Sequence, residues 1–228
     1  MRQIIISAFV SLDGVMQAPG GPEEDPTGGF AHGGWTAPFW DDVIAGAMGE
    51  TFSKPFDALL GRRTYDIFAS HWPFVPTDPA APGYDEGNAE MARLFNAMTK
   101  HVATHRPESL TWENTESLGP DAAGRLRELK AGDGPDLIVQ GSSEVIQLLL
   151  AHDLADSLRL LIYPVVLGRG KRLFGNGTIP AAFRLAKSTA SPSGVLIATY
   201  ERAGEVQTGS FALENPSDAE QERRETLS

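Results

Sequence analysis

The sequence predicts a three-layer α/β fold whose twisted sheet is mostly parallel, with an antiparallel C-terminal edge. Apolar, β-rich runs alternate with helical periodicity as far as about residue 160. Strand then follows strand in "FRLAKSTASPSGVLIATYER". Two of the earlier strands, in "ALLGRRTYD" and "LIVQGSSEV", run straight into a glycine and then a helix. Alternation of strands and helices implies parallel pairing through crossover helices, and consecutive strands imply a hairpin.

The elements follow in order. "RQIIISAFV", residues 2–10, is a buried strand by its apolar, β-branched content. Residues 17–38 hold six glycines and four prolines, a long loop of the kind that carries function or stays disordered. "FWDDVIAGAMGETF" is a helix with Asp41 and Asp42 in a first turn that favours negative charge. "FDALLG" is a strand, "TYDIFAS" a short helix and "WPFVPTDPAAPG" a second proline-rich loop. "DEGNAEMARLFNAMT" is a helix with Met91, Leu94, Phe95 and Met98 on one face. "KHVATH", "DAAGRLRELKA", "DLIVQG" and "SSEVIQLLLAHD" read as strand, helix, strand and helix. "SLRLLIYPVVLG" is a strand near an edge, with Pro164 at a bulge or edge position. The final hairpin turns around Ser191–Gly194, and "VVLGRGKRLFGNG" reads as a solvent-exposed loop. No internal repeat or linker interrupts the chain.

Composition limits the functional classes. The 228 residues suffice for a sizeable core. No apolar run approaches the ~20 residues of a membrane span, and the N-terminus reads as a strand rather than a signal peptide, so a cytoplasmic protein without membrane attachment is expected. With no cysteine, thiolate chemistry and cysteine-ligated metals are excluded. The five histidines show no metal-ligand spacing, and no G-x-S-x-G elbow suggests a hydrolase. A net charge of -11 argues against a nucleic-acid surface, so an anion could bind only where cations cluster.

The two strand–glycine–helix turns are such places. Ligands of open α/β sheets bind at the carboxyl ends of strands, where helix N-termini present free N–H groups. Gly61 and Gly141 would only turn the chain or would admit a ligand close to the backbone. Thr64, Ser142 and Ser143 can cap helices or donate to phosphate. Arg62 and Arg63 beside the first turn suit a ribose 2′-phosphate, and "THRP" adds His105 and Arg106 at a third strand end.

These pieces, with "SAFVSLDGVM", "GGFAHGGW", "LLGRRTYDIFASHWP" and "VQGSSEVIQLLLAHDLADSLRLLIYPVVLGRGKRLF" in that order, resemble the dihydrofolate reductase-like superfamily. The branch they resemble is the C-terminal reductase domain of bifunctional riboflavin biosynthesis proteins. The resemblance covers residues 2–202 and implies a domain over 1–203 followed by an acidic tail over 204–228. It implies NADPH as cofactor. Gly61, Arg62, Arg63 and Thr64 would hold the pyrophosphate and 2′-phosphate. Thr104, His105 and Arg106 would face the adenosine side, and Gly141, Ser142 and Ser143 would form the second turn. Backbone groups of Ala8 and Phe9 would meet the nicotinamide carboxamide. The buried acid of folate reductases falls near Ala45, so folate is not the expected substrate.

Asp13-Gly14 suits a tight turn or, with Met16 and Gln17, a wall of the substrate pocket. His32 and Trp35, flanked by glycines, suit a closing lid or, alternatively, a solvated histidine and a tryptophan that pins the loop to the core. The resulting expectation is an NADPH-dependent reductase acting on a small conjugated heterocycle or carbonyl compound, its proton drawn from water, Asp42, Asp41 or Asp13. The alternatives are 5-amino-6-(5-phosphoribosylamino)uracil reductase and a non-catalytic NADPH-binding protein. A homodimer is expected, because the related riboflavin reductases associate and an exposed apolar "LRLLIYPVVL" strand would need cover.

Overall fold

The computed structural model describes residues 1–175, 178–212 and 214–227. The chain runs β1 (Ile4–Ser11), α1 (Asp42–Thr51), β2 (Phe56–Gly61), α2 (Arg62–Ala69), α3 (Glu86–Ala97), β3 (Lys100–Ala103), β4 (Thr115–Ser117), α4 (Ala122–Ala131), β5 (Asp136–Gly141), α5 (Ser143–Ala151), β6 (Ser157–Tyr163), β7 (Phe183–Ala190), β8 (Leu196–Arg202) and α6 (Asp218–Glu225). The eight strands form one sheet in the order β4-β3-β2-β5-β1-β6-β8-β7. Pairings from β4 across to β6 are parallel. The β6–β8 and β8–β7 pairings are antiparallel.

Side-chain alternation along the strands builds the outer layers. On β1, Ile4, Ile6, Ala8 and Val10 join Leu137 and Val139 of β5 in a core closed by Leu126 of α4 and Val145, Ile146 and Leu149 of α5. The opposite sheet face packs Ala58, Leu60 and Ile138 against Tyr65 of α2 and Phe95 of α3. Ile44 of α1 packs there with Leu161 and Tyr163 of β6. The result is a helix layer on each face of the sheet.

Several boundaries differ from the sequence expectation. β6 stops at Tyr163, because Pro164 has no N–H for the ladder. It is also not an edge strand: β1 and β8 flank it. The hairpin of the same chain therefore supplies the cover for which a second subunit was invoked. The edge on that side of the sheet is β7, whose Arg184 and Lys187 make it charged rather than apolar. β4, three residues with no apolar alternation, went unforeseen. α2 begins at Arg62 rather than Thr64, which places both arginines in its first turn.

Beyond β8 the acidic tail forms a short polar helix, α6. Ser217 caps it, and Glu220 pairs with Arg223 and Arg224. No helix among the described residues is long and apolar enough to cross a membrane.

Candidate active site

A cavity of about 1030 Å³ opens over the carboxyl halves of β1 and β5. Two helix faces wall it. On α1 and just beyond, Ala45, Met48, Gly49 and Phe52 recur at spacings 3, 4 and 7. On α2 and just beyond, Thr64, Ile67, Phe68 and His71 repeat that spacing. Such positions share one side of a helix. Ser7 and Phe9 of β1, with Gln140 and Gly141 of β5, lie between them.

The two glycine turns meet side by side, since Leu60 pairs with Gly141 after a register shift in the β2–β5 ladder. A Cβ on Gly61 would collide with the Ser142 hydroxyl and lie 2.8 Å from the Ser142 Cβ. A Cβ on Gly141 would lie 2.6 Å from Thr64 Oγ1. The space left by each glycine is thus filled by the hydroxyl residue of the other turn, which corrects the expectation that both glycines admit a ligand. Thr64, Gly141, Ser142 and Ser143 nevertheless line the cavity. The Gly141–Ser142 peptide is cis.

Helix ends separate these turns from the rest of the fold. Asp41, Asp85, Asp121 and Ser217 cap α1, α3, α4 and α6 with their side chains. α2 and α5, whose N-cap residues are Gly61 and Ser142, have no side-chain cap. Their free N-terminal N–H groups, the positive ends of the helix dipoles, lie at the cavity, an arrangement suited to an anion. Glu144, in the first turn of α5, is exposed and does not line the cavity.

The twin arginines diverge. Arg62 donates through Nε to Asp66 at 2.8 Å and through Nη1 to the Arg106 carbonyl at 3.2 Å, the Ser109 hydroxyl and Thr104 Oγ1 at 3.5 Å. It therefore joins the β2 and β3 ends outside the cavity, with Thr104, Arg106 and exposed His105. Arg63 instead lines the cavity and donates to Asp25 at 3.0 Å and to Thr27 of the glycine-rich loop. Lys171 also reaches Asp25, so "VVLGRGKRLFGNG" is not simply a solvent loop. Asn176 and Gly177 of that stretch lie outside the described residues. Burial pushes the Asp25 carboxyl up, but Lys171 and Thr27 outweigh it and hold it below its ordinary value.

The three proton-donor candidates lie elsewhere. Asp13 accepts from the Ser11 hydroxyl at 2.6 Å and from the N–H groups of Leu167 and Gly168 at 3.1 and 2.9 Å. Arg172 donates to its carbonyl. Asp13 is therefore an anchor for the 167–172 loop, and the Ser11 hydroxyl above all holds its carboxyl down at about 2. Burial pushes Asp41 up, but donation from the Ile44 and Ser193 N–H groups prevails and holds it at about 2. Exposed Asp42 opens α1 away from the cavity. A carboxylate whose folded pKa is depressed stabilises above its ordinary pKa and loses that contribution as pH falls toward the folded value. For Asp13 the window runs from 3.8 down to about 2. Urea midpoints compared at about pH 4.5 and 2.5 should shift less in Asp13→Asn than in wild type; equal shifts would refute the anchor role.

Other expected pocket residues divide. Met16 and Gln17 line the cavity. Gln17 also ties loops together, donating to the Asp25 and Thr27 carbonyls and accepting from the Lys171 N–H. Gly14 holds a turn at φ 80° beside Asp13 and is not in the lining. Trp35 is buried, donates to the Gln17 carbonyl at 2.9 Å and packs edge-on against Tyr163, which pins the loop. His32 is exposed against Phe30. Neither lines the cavity, so neither is placed as a lid over it. Phe9 faces the cavity, whereas the Ala8 side chain packs in the opposite layer.

The apolar wall of Met48, Phe52, Ile67 and Phe68 has no signal of its own in the sequence; only the facing of α1 by α2 shows that these side chains enclose space. No group of three or more potential metal-ligating side chains occurs among the described residues.

Comparisons with known proteins agree with this architecture. The model of the RibD C-terminal domain matches residues 2–197. The uncharacterized protein YyaP of Bacillus subtilis (strain 168) is 24% identical over 208 residues, covering 89% of this chain and 96% of that protein. A putative riboflavin biosynthesis protein from Shewanella sp. PV-4 superposes with a TM-score of 0.56 at 20% identity, covering 88% of this chain and 99% of that one. The Thermotoga maritima diaminohydroxyphosphoribosylaminopyrimidine deaminase/5-amino-6-(5-phosphoribosylamino)uracil reductase superposes at 0.54 with 14% identity, covering 89% of this chain and 57% of that one.

Proposed function

The chain belongs to the RibD C-terminal domain family, and from that premise we propose that it is an NADPH-dependent reductase of a small conjugated substrate. The observation that carries this reading is the pair of helix N-termini, on α2 and α5, that lack a side-chain cap and open at the cavity. Every other α-helix among the described residues caps itself. The donor set fits the cofactor: N–H groups and hydroxyls of Thr64, Ser142 and Ser143 suit a pyrophosphate, and Arg62 with Thr104 and Ser109 suits a 2′-phosphate. When bound, NADPH supplies the hydride.

The chain's own residues do the rest. α2 and α5 orient the phosphates, and Phe9 and the backbone of β1 position the nicotinamide. The apolar faces of α1 and α2 exclude water around the reacting atoms. With Asp13 and Asp41 engaged elsewhere and Asp42 outside the cavity lining, the proton comes from water. Saturable NADPH binding, together with substrate-dependent loss of the reduced-nicotinamide absorbance, tests this reading. Tight binding without turnover on any pyrimidine, pterin or carbonyl compound would favour a non-catalytic cofactor binder instead.

Ala45 lines the cavity on α1 where the resemblance places the acid of folate reductases. A positioned general acid contributes about 10²–10⁴ in rate. Dihydrofolate should therefore turn over at least about a hundredfold more slowly than the best substrate found, and Ala45→Asp should narrow that gap. Efficient dihydrofolate reduction by wild type would reject the assignment of Ala45.

A further inference from the structure

The slot between α1 and α2 restricts what can react there. Its surfaces are Met48 and Phe52 on one side and Ile67 and Phe68 on the other. Trp72 closes one end, stacked on Phe95 at 4.9 Å with the planes 9° apart. A Cβ at Gly49 would meet nothing within 4 Å, so the packing does not require that glycine and its missing side chain widens the slot. Ala45, one turn earlier, adds to the same opening. A flat ring system matches such walls, since aromatic faces favour stacked or edge contacts.

Charge narrows the class further. Among the described residues, the only lysine or arginine side chains lining the cavity are Arg63 and Lys171. Both are bound to Asp25 on the glycine-rich loop. The α3 side of the cavity contributes Asp85 and Glu90, which are acidic. With Glu24 and Asp25, the lining holds four acidic side chains against these two cations, so a phosphate or carboxylate pushed into the slot would lose hydration and meet no net positive charge.

We infer that the slot takes a neutral, flat, conjugated carbonyl or imine compound that carries no phosphate or carboxylate. The reaction rests on the reductase reading above: the substrate C=O or C=N gains the hydride and a proton from water, and the nicotinamide is left oxidised. A phosphoribosylaminopyrimidine, which brings a phosphate dianion, falls outside this class.

The test uses 1,4-naphthoquinone and 1,4-naphthoquinone-2-sulfonate, which share one flat bicycle and differ by an anionic group. The chain has no cysteine, so neither probe is lost to thiol addition. Binding is read by quenching of tryptophan fluorescence, with and without saturating NADP⁺, because Trp40 and Trp72 line the cavity. The neutral quinone should bind at least about tenfold more tightly than the sulfonate. Gly49→Leu and, separately, Ala45→Leu should abolish quinone binding while leaving NADP⁺ affinity unchanged. Equal or tighter binding of the sulfonate overturns the inference, as does failure of both probes to bind or unaltered quinone binding in both variants. If NADP⁺ fails to bind while the quinone preference holds, the cofactor reading falls and the slot assignment stands.

Discussion

Arg62→Ala is expected to weaken NADPH binding about ten- to a hundredfold while leaving NADH binding close to wild type. The size follows from a charge-assisted hydrogen bond to phosphate, worth roughly 1.5–3 kcal/mol. The selectivity follows from position. Arg62 sits where the ends of β2 and β3 meet, its Nη1 directed at Thr104, the Arg106 carbonyl and Ser109. Asp66, one turn along α2, holds the guanidinium from behind. That pair is 22% and 48% exposed, so breaking it should cost only a few tenths of a kcal/mol in stability. The contacts to Thr104, the Arg106 carbonyl and Ser109 are lost with it, so a urea midpoint close to wild type is the control by which a lost affinity reports binding rather than unfolding. Arg63→Ala provides the contrast, because its guanidinium is turned to Asp25 and Thr27 within the cavity. Its removal should affect both cofactors alike. Titrations of the two variants with NADPH and NADH decide the matter. Equal losses for both cofactors in Arg62→Ala would show that this arginine does not read the 2′-phosphate.

The twin arginines also show which parts of the site could be read from sequence. Strand, glycine and helix are local signals, so both turns and the arginines beside the first were visible in "LLGRRTYD". What a side chain reaches is not local. Asp13 looked like a pocket acid in "SLDG", yet its carboxylate accepts from Leu167 and Gly168, more than 150 positions away. Lys171 looked solvent-exposed, yet the bridge between Val15 and Arg172 draws its loop to the cavity mouth and onto Asp25. The "LRLLIYPVVL" strand looked like an edge because hydrophobicity does not reveal which neighbour a strand takes. Pairing with β8 makes it interior. The slot was hidden for a related reason. An apolar 3, 4, 7 spacing on α1 reads as core, and nothing in α1 itself shows that the facing α2 stands off far enough to leave room.

Gly61→Ala is expected to destabilise the protein by about 1–3 kcal/mol through overpacking. Two effects of opposite sign compete there. Gly61 has φ -77° and ψ 158°, a conformation open to alanine, so entropy alone would make the substitution stabilising by about 0.4–1 kcal/mol. Against it stands Ser142, whose Cβ would lie 2.8 Å and whose backbone N would lie 3.0 Å from the new methyl group. Ser142 is held at the start of α5, so neither atom can yield as the end of a flexible side chain would. The steric effect should therefore prevail, and the sign of the measured change distinguishes a mere turn from a close contact between β2 and the second turn. Ser142→Gly removes the hydroxyl and the Cβ while leaving the backbone N. In that background Gly61→Ala should recover much of its loss, giving a coupling of the size seen between touching residues, about 0.5–3 kcal/mol. Chemical denaturation of the four members of this cycle provides the measurement. Stabilisation by Gly61→Ala, or simple additivity with Ser142→Gly, would mean that the glycine serves the turn alone. The coupling should extend to binding, because Ser142 belongs to the uncapped N-terminus of α5. A methyl group that displaces it should weaken NADPH and NADH together, unlike the selective loss expected at Arg62.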